Sequence, residues 1–120
     1  MPSVTTAIRR LRASSQISAD LAASYDVVLT PTLAHETPEV GWLDPMQDYD
    51  VALDRLLQWV AYTPLQNASG APAMSLPLAT TEAGLPHGMH FAAAHGGEAL
   101  LLELAYELEA AQPWPLLRDA

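Results

Sequence analysis

From Leu56 to Thr81 the chain carries no charged residue. A neutral stretch of that length either crosses a membrane or is covered by protein on both faces. Pro64, Pro72 and Pro77 interrupt it, so it is not pure or regular enough to span a bilayer. It therefore reads as a stretch buried on both faces. The rest of the sequence makes that neutrality conspicuous, because the formal net charge is -9.

A length of 120 residues fits one domain with a core of ordinary size, and half of the residues are apolar, as in globular chains. Fourteen acids stand against 5 arginines, with no lysine. Such a balance repels phosphate backbones and anionic membrane surfaces, so neither nucleic acid nor membrane is expected as a partner. Cysteine is absent, which removes disulfides, thiolate metal sites and cysteine nucleophiles. Arg9, Arg10 and Arg12 are not followed by an apolar run of signal length. The expected location is the cytoplasm.

Local patterns give six elements. Val4 to Ser24 reads as a helix, with Ile8 and Leu11 three apart and Ile17, Leu21 and Tyr25 four apart. Val27 to Pro31 is a β-branched run stopped by proline, the mark of a buried strand. Ala34 to Pro45 is a loop. A helix follows with Leu53, Leu56 and Val60 on one stripe, and either Asp44 or Asp48 as its cap. Tyr62 to Gly70 reads as irregular. Ala73–Leu78 and Met89–Ala94 read as strands, separated by a turn region around "TTEAGLPHG". Glu98 to Ala111 is a helix with Leu101, Leu104, Leu108 and Ala111 on one stripe, stopped at "QPWP".

No catalytic constellation emerges from these residues. His87 and His90, on a strand, point to opposite faces at their odd spacing, as do His90 and His95. Without cysteine or an HExxH pattern, no metal site is expected. Ser69 in "NASGA" lacks the G-x-S-x-G elbow and reads as a turn residue. A lysine base is unavailable anywhere in the chain. Read this way, the sequence specifies an α/β domain whose sheet wants more cover than its helices provide.

The motifs in order carry a resemblance. "YDVVLTPTLA", "YTPLQNASGAPAMSLPLA" and "GLPHGMHFAAAHGGEALLLELAYELEAAQPW" resemble the C-terminal part of the amidase signature family. Thr30, Pro31 and Thr32 match its strand ending in T-P-T. Thr63, Asn67, Gly70, Pro72 and Pro77 match the next segment. Gly84, Leu85, Pro86 and Gly88 match the G-L-P-x-G motif; Glu98, Leu101, Leu102, Pro113 and Trp114 match the final helix and its end.

The resemblance implies an α/β/α fold, of which residues 1–120 would be a single C-terminal piece: about three strands of a mixed sheet with about three helices. It implies a parent that hydrolyses small-molecule carboxamides with a serine nucleophile, a second serine and a lysine. Those residues lie upstream in the family, so none of them is expected here and the chain alone is expected to be inactive, without metal or other cofactor. Substrate-pocket candidates are Trp42 in the Ala34–Pro45 loop, and Tyr62, Thr63 and Asn67. Two positions depart from the family pattern. His90 replaces a common glutamine. Val60 replaces the aspartate that holds the substrate's amino group in glutamine-hydrolysing transamidosome subunits, which points toward simpler amides. "GMHFAAAHG" is similar to bacterial amidases of the aliphatic and cyclic-oligoamide kind. An incompletely covered sheet also predicts a homo-oligomer, joined by sheet edges, a sheet face or an exchanged terminal helix. The alternative reading is a stand-alone binding or assembly module without enzymatic activity.

Overall fold

The sequence patterns resolve, in a computed structural model describing residues 3–115, into four helices and one three-stranded sheet. Helix α1 (Val4–Ser24) starts at Ser3, whose side chain accepts a hydrogen bond from the Thr6 amide at 3.3 Å. Strand β1 (Val27–Pro31) follows after a short link. Helix α2 (Tyr49–Trp59) is capped by Asp48, which accepts from the amides of Asp50 and Val51. Asp44, expected as a cap with Pro45 at the first helical position, instead accepts from the Met46 amide within the preceding turn, and the helix begins after the rival cap Asp48.

Tyr62 to Gly70 is not wholly irregular. Pro64–Ser69 forms a short helix, α3, with Pro64 at its start and Gly70 closing it at φ 75°. Proline in the first turn wastes no N–H, and glycine adopts the left-handed conformation without steric cost.

Strands β2 (Ala73–Thr80) and β3 (Pro86–Ala93) are both longer than the apolar runs suggested, and the turn between them is correspondingly shorter. The order is β1-β3-β2, with both pairings antiparallel. Pro77 sits on edge strand β2, where the register slips between Leu76 and Ala79. A proline has no N–H to give a ladder, and an edge strand with a bulge tolerates that loss. Helix α4 (Glu98–Ala111) occupies the expected residues.

The two sheet faces have different chemistry. On one, Phe91 and Ala93 of β3 meet Leu101 of α4, with Met74, Leu76, Leu104 and Leu108 packed around them. That cluster is the core. Helix α4 contacts β2 and β3. Leu29, on the same face of β1, stays 55% exposed. The other face carries Val28, Thr30, His90, Ala92 and Ser75, partly covered by α1 and α3.

Cover is incomplete throughout. Among the described residues no large side chain is fully buried. The accessible surface is 8830 Å² for 12.9 kDa, roughly 2,500 Å² more than a compact monomer of that mass exposes. The radius of gyration is 16.9 Å, against about 14 Å for a compact domain of this length. Of the neutral run, only Ala73–Thr80 lies in the sheet, as edge strand β2; the rest forms the end of α2, helix α3 and the links around them. Among the described residues, no helix is long and apolar enough to cross a membrane.

Candidate functional site

The polar face of the sheet brings together side chains far apart in sequence. Antiparallel pairing sets Thr30 and Ser75 on either side of His90. Thr30 Oγ1 lies 3.4 Å from His90 Nδ1. His90 is buried, and desolvation holds its pKa below the ordinary histidine value, which favours the neutral imidazole. Above it opens a cavity of about 250 Å³. The C-terminal half of α1 (Ser18, Leu21, Ala22) forms one wall and α3 with its approach (Tyr62, Leu65, Gln66) another. Gln66 Oε1 is buried without a hydrogen-bond partner. A neutral imidazole, a hydroxyl and an unused amide oxygen give this cavity hydrogen-bonding capacity.

One residue pair further along that face, Thr32 Oγ1 and Ser75 Oγ lie 2.6 Å apart. They meet over Gly88, where an added Cβ would stand 2.7 Å from each hydroxyl oxygen.

Trp42 lies elsewhere. It lines a second cavity of about 220 Å³ with His35, Glu36, Pro38, Gln58 and Trp59. Arg55 fixes it: Nη1 donates to the Trp42 carbonyl and to Gln47 Oε1, both at 2.8 Å, and the guanidinium lies 5.3 Å from the indole centroid. Trp59 Nε1, in the same wall, is a buried donor without a partner. The Ala34 amide donates to the Trp59 carbonyl, tying the loop after β1 to the end of α2.

The four residues expected from sequence are therefore not gathered into one site. Tyr62 lines the cavity above His90 and Trp42 lines the other. Thr63 begins α3, its hydroxyl donating to the Val60 carbonyl at 3.5 Å, and Asn67 is exposed on that helix. Neither lines either cavity. Thr30 and Gln66 are cavity residues that sequence reasoning misses, and Arg55 holds Trp42 without lining its cavity. Thr30 stands out only as part of the T-P-T match, and Gln66 carries no local signal that sets it apart. Arg55 does carry one, since it is the only cation between Arg12 and Arg118. His35, Glu36 and His87 share an open cleft. Among the described residues, no group of three or more His, Asp or Glu side chains is placed to hold a metal ion.

Comparison with known proteins gives the family. The sequence profile of the family described as Amidase matches residues 3–102. The chain belongs to the Amidase family. "Putative amidase AmiC" of Mycobacterium leprae is 58% identical over 108 residues, covering 90% of this chain and 23% of that protein. The 6-aminohexanoate-cyclic-dimer hydrolase of Paenarthrobacter ureafaciens is 39% identical over 98 residues, 77% of this chain and 20% of that one. A solved structure of a 6-aminohexanoate cyclic dimer hydrolase superposes with a TM-score of 0.76 at 34% identity, over 89% of this chain and 23% of the other. A glutamyl-tRNA(Gln) amidotransferase chain from Thermotoga maritima shares the fold, with a TM-score of 0.74 at 23% identity, over 93% of this chain and 23% of the other.

The chain spans about a quarter of the length of these amidases. The α/β piece of an Amidase-family fold expected from sequence is what the superpositions give.

Proposed function

We propose that this chain is the C-terminal portion of an amidase that hydrolyses carboxamide C–N bonds, inactive by itself and contributing structure and part of a pocket wall. The observation that carries this reading is the 58% identity running through 90% of the chain, against 23% of an amidase-family protein. The family's serine–serine–lysine machinery belongs to a segment with no counterpart here, and the sequence holds no lysine. The pocket candidates remain Trp42, Tyr62, Thr63 and Asn67, with Trp42 and Tyr62 supported by the two cavities they line.

The parent's substrates in this proposal are simple linear or cyclic amides. Support comes from the likeness to 6-aminohexanoate-cyclic-dimer hydrolases and from Val60, whose side chain cannot pair with a substrate ammonium. The cytoplasmic location is part of the same proposal, and fractionation of the source cell tests it.

The functional test is complementation. The cyclic-dimer hydrolase, shortened by the portion that matches this chain, is produced together with the 120 residues. Neither piece alone is expected to turn over 6-aminohexanoate cyclic dimer, and the pair is expected to do so. Amide hydrolysis by this chain alone, surviving repurification and lost on Ser69→Ala, would overturn the reading.

A further inference from the structure

Helix α1 carries one long stripe with two fates. Val4, Ile8, Leu11, Ser15, Ser18 and Ala22 recur at intervals of three and four, which places them on one helical face. The second half of the stripe is half-buried, and α1 packs against α3. The first half is open: Val4, Ile8 and Leu11 are 77%, 48% and 63% exposed. The large apolar residues thus stand where the chain gives no cover, and the small ones where it does.

The open half is also basic. Arg9, Arg10 and Arg12 precede every acid in the sequence, the first being Asp20. At about 100° per residue, Arg10 and Arg12 fall on opposite flanks of the apolar stripe. The remaining cations, Arg55 and Arg118, stand among all 14 acids. The chain is therefore electrically divided between one basic half-helix and an acidic remainder.

A complementary surface exists on α2. Leu43, Pro45, Tyr49, Ala52, Leu53 and Leu56 line an apolar groove of about 250 Å³. Its helical members follow i, i+3, i+4, i+7, the spacing by which a helix face receives another helix. Asp44, Asp48 and Asp50 alternate in sequence with, or directly follow, these lining residues, and all three are exposed. The one nearby cation, Arg55, is engaged with Trp42 and Gln47.

We infer that the 120-residue chain forms a reciprocal dimer in which the Val4–Arg12 half of α1 from each copy lies in the Leu43–Leu56 groove of the other. Apolar stripe meets apolar groove, and arginine flanks meet aspartate rims. Reciprocal exchange closes the assembly at two copies, whereas one-way docking would propagate. This goes beyond the proposed amidase role, because it concerns what the 120 residues do with their open surface in the absence of further chain.

Light scattering across a concentration series tests it. The expected particle has twice the 12.9 kDa chain mass. Ile8→Glu and Leu53→Glu should each weaken association by about tenfold or more, with helicity by circular dichroism unchanged. Leu102→Glu, on the exposed side of α4, should leave it intact. Arg10→Glu with Arg12→Glu should weaken the dimer, and Asp44→Arg with Asp50→Arg added to the same chain should restore it. The chain has no cysteine, so mixing an Ile8→Cys chain with a Leu53→Cys chain under oxidation should give a disulfide-linked heterodimer. A strictly monomeric chain would overturn the inference. So would a dimer that ignores Ile8→Glu and Leu53→Glu, or an Ile8→Cys and Leu53→Cys mixture that yields no disulfide-linked heterodimer.

Discussion

Thr32 and Ser75 touch across a strand that separates them. Their hydroxyl oxygens are 2.6 Å apart, yet Thr32 follows β1 and Ser75 belongs to β2, with β3 between the two. The contact is possible because the residue beneath it on β3 is Gly88. Thr32 is also tied to the central strand directly, its amide donating to the Gly88 carbonyl at 2.9 Å. A single missing side chain thus lets both edges of the sheet be joined above its middle.

Gly88→Ala tests that arrangement. The new Cβ would meet both hydroxyls at 2.7 Å, closer than real Cβ contacts come. The expected cost is about 1–3 kcal/mol, the range for overpacking, read as a lower urea midpoint at constant slope. Adding Thr32→Ala and Ser75→Ala should recover part of it. An unchanged midpoint for Gly88→Ala would show that the hydroxyls move aside freely.

Burial of His90 predicts an acid-side loss of stability. Desolvation lowers its folded pKa below the unfolded value, so between the two the unfolded chain binds more protons. Stability is then fully present above the unfolded value, about pH 6.5, and falls as pH drops toward the folded one. Melting temperatures from pH 8 down to about pH 5 should show this decline. His90→Gln, which cannot titrate, should flatten it in that window. Superimposable profiles for the two proteins would remove His90 as the cause.

The core centres on Leu101, 4% exposed against Phe91 and Ala93. Leu101→Ala should cost about 2–5 kcal/mol through lost burial and the cavity left behind. Its neighbour Leu102 is 60% exposed, and Leu102→Ala should stay within about 0.5 kcal/mol of the parent. Denaturant titration of the pair measures the contrast. Equal effects would mean that α4 packs by a different face.

Chelation should not matter. His87 and His90 lie at an odd spacing on β3, His95 lies beyond the strand, and no metal-ligand cluster forms among the described residues. Melting with and without a strong chelator is expected to coincide. A drop reversed by zinc would reveal a site that couples metal to folding.

The sequence by itself determined the elements whose signals are local. Helix α1, the β-branched run of β1 and the leucine face of α4 appear in the structure at the expected residues, although the apolar stripe read for α1 stays exposed and its last member, Tyr25, lies beyond the helix. Each is fixed by periodicity and by a proline or cap at its edge, which act within a few residues. The ordered motifs also carried the family, because spacing along a chain survives even in a piece of it.

Only the tertiary structure decided the rest. Helix α3 is too short to show a period, and its signals, Pro64 and Gly70, are equally those of a loop. Strand β3 reaches back to Pro86 because β2 pairs with it there, a fact outside the local composition of "GLPHG". The meeting of Thr30 with His90, sixty positions apart, depends on strand order and register. So does the separation of Trp42 from Tyr62 into different cavities. Contacts of that kind are set by which distant segments pair and pack, and the free energy of those choices is spread over the whole sheet rather than written in any one stretch of it.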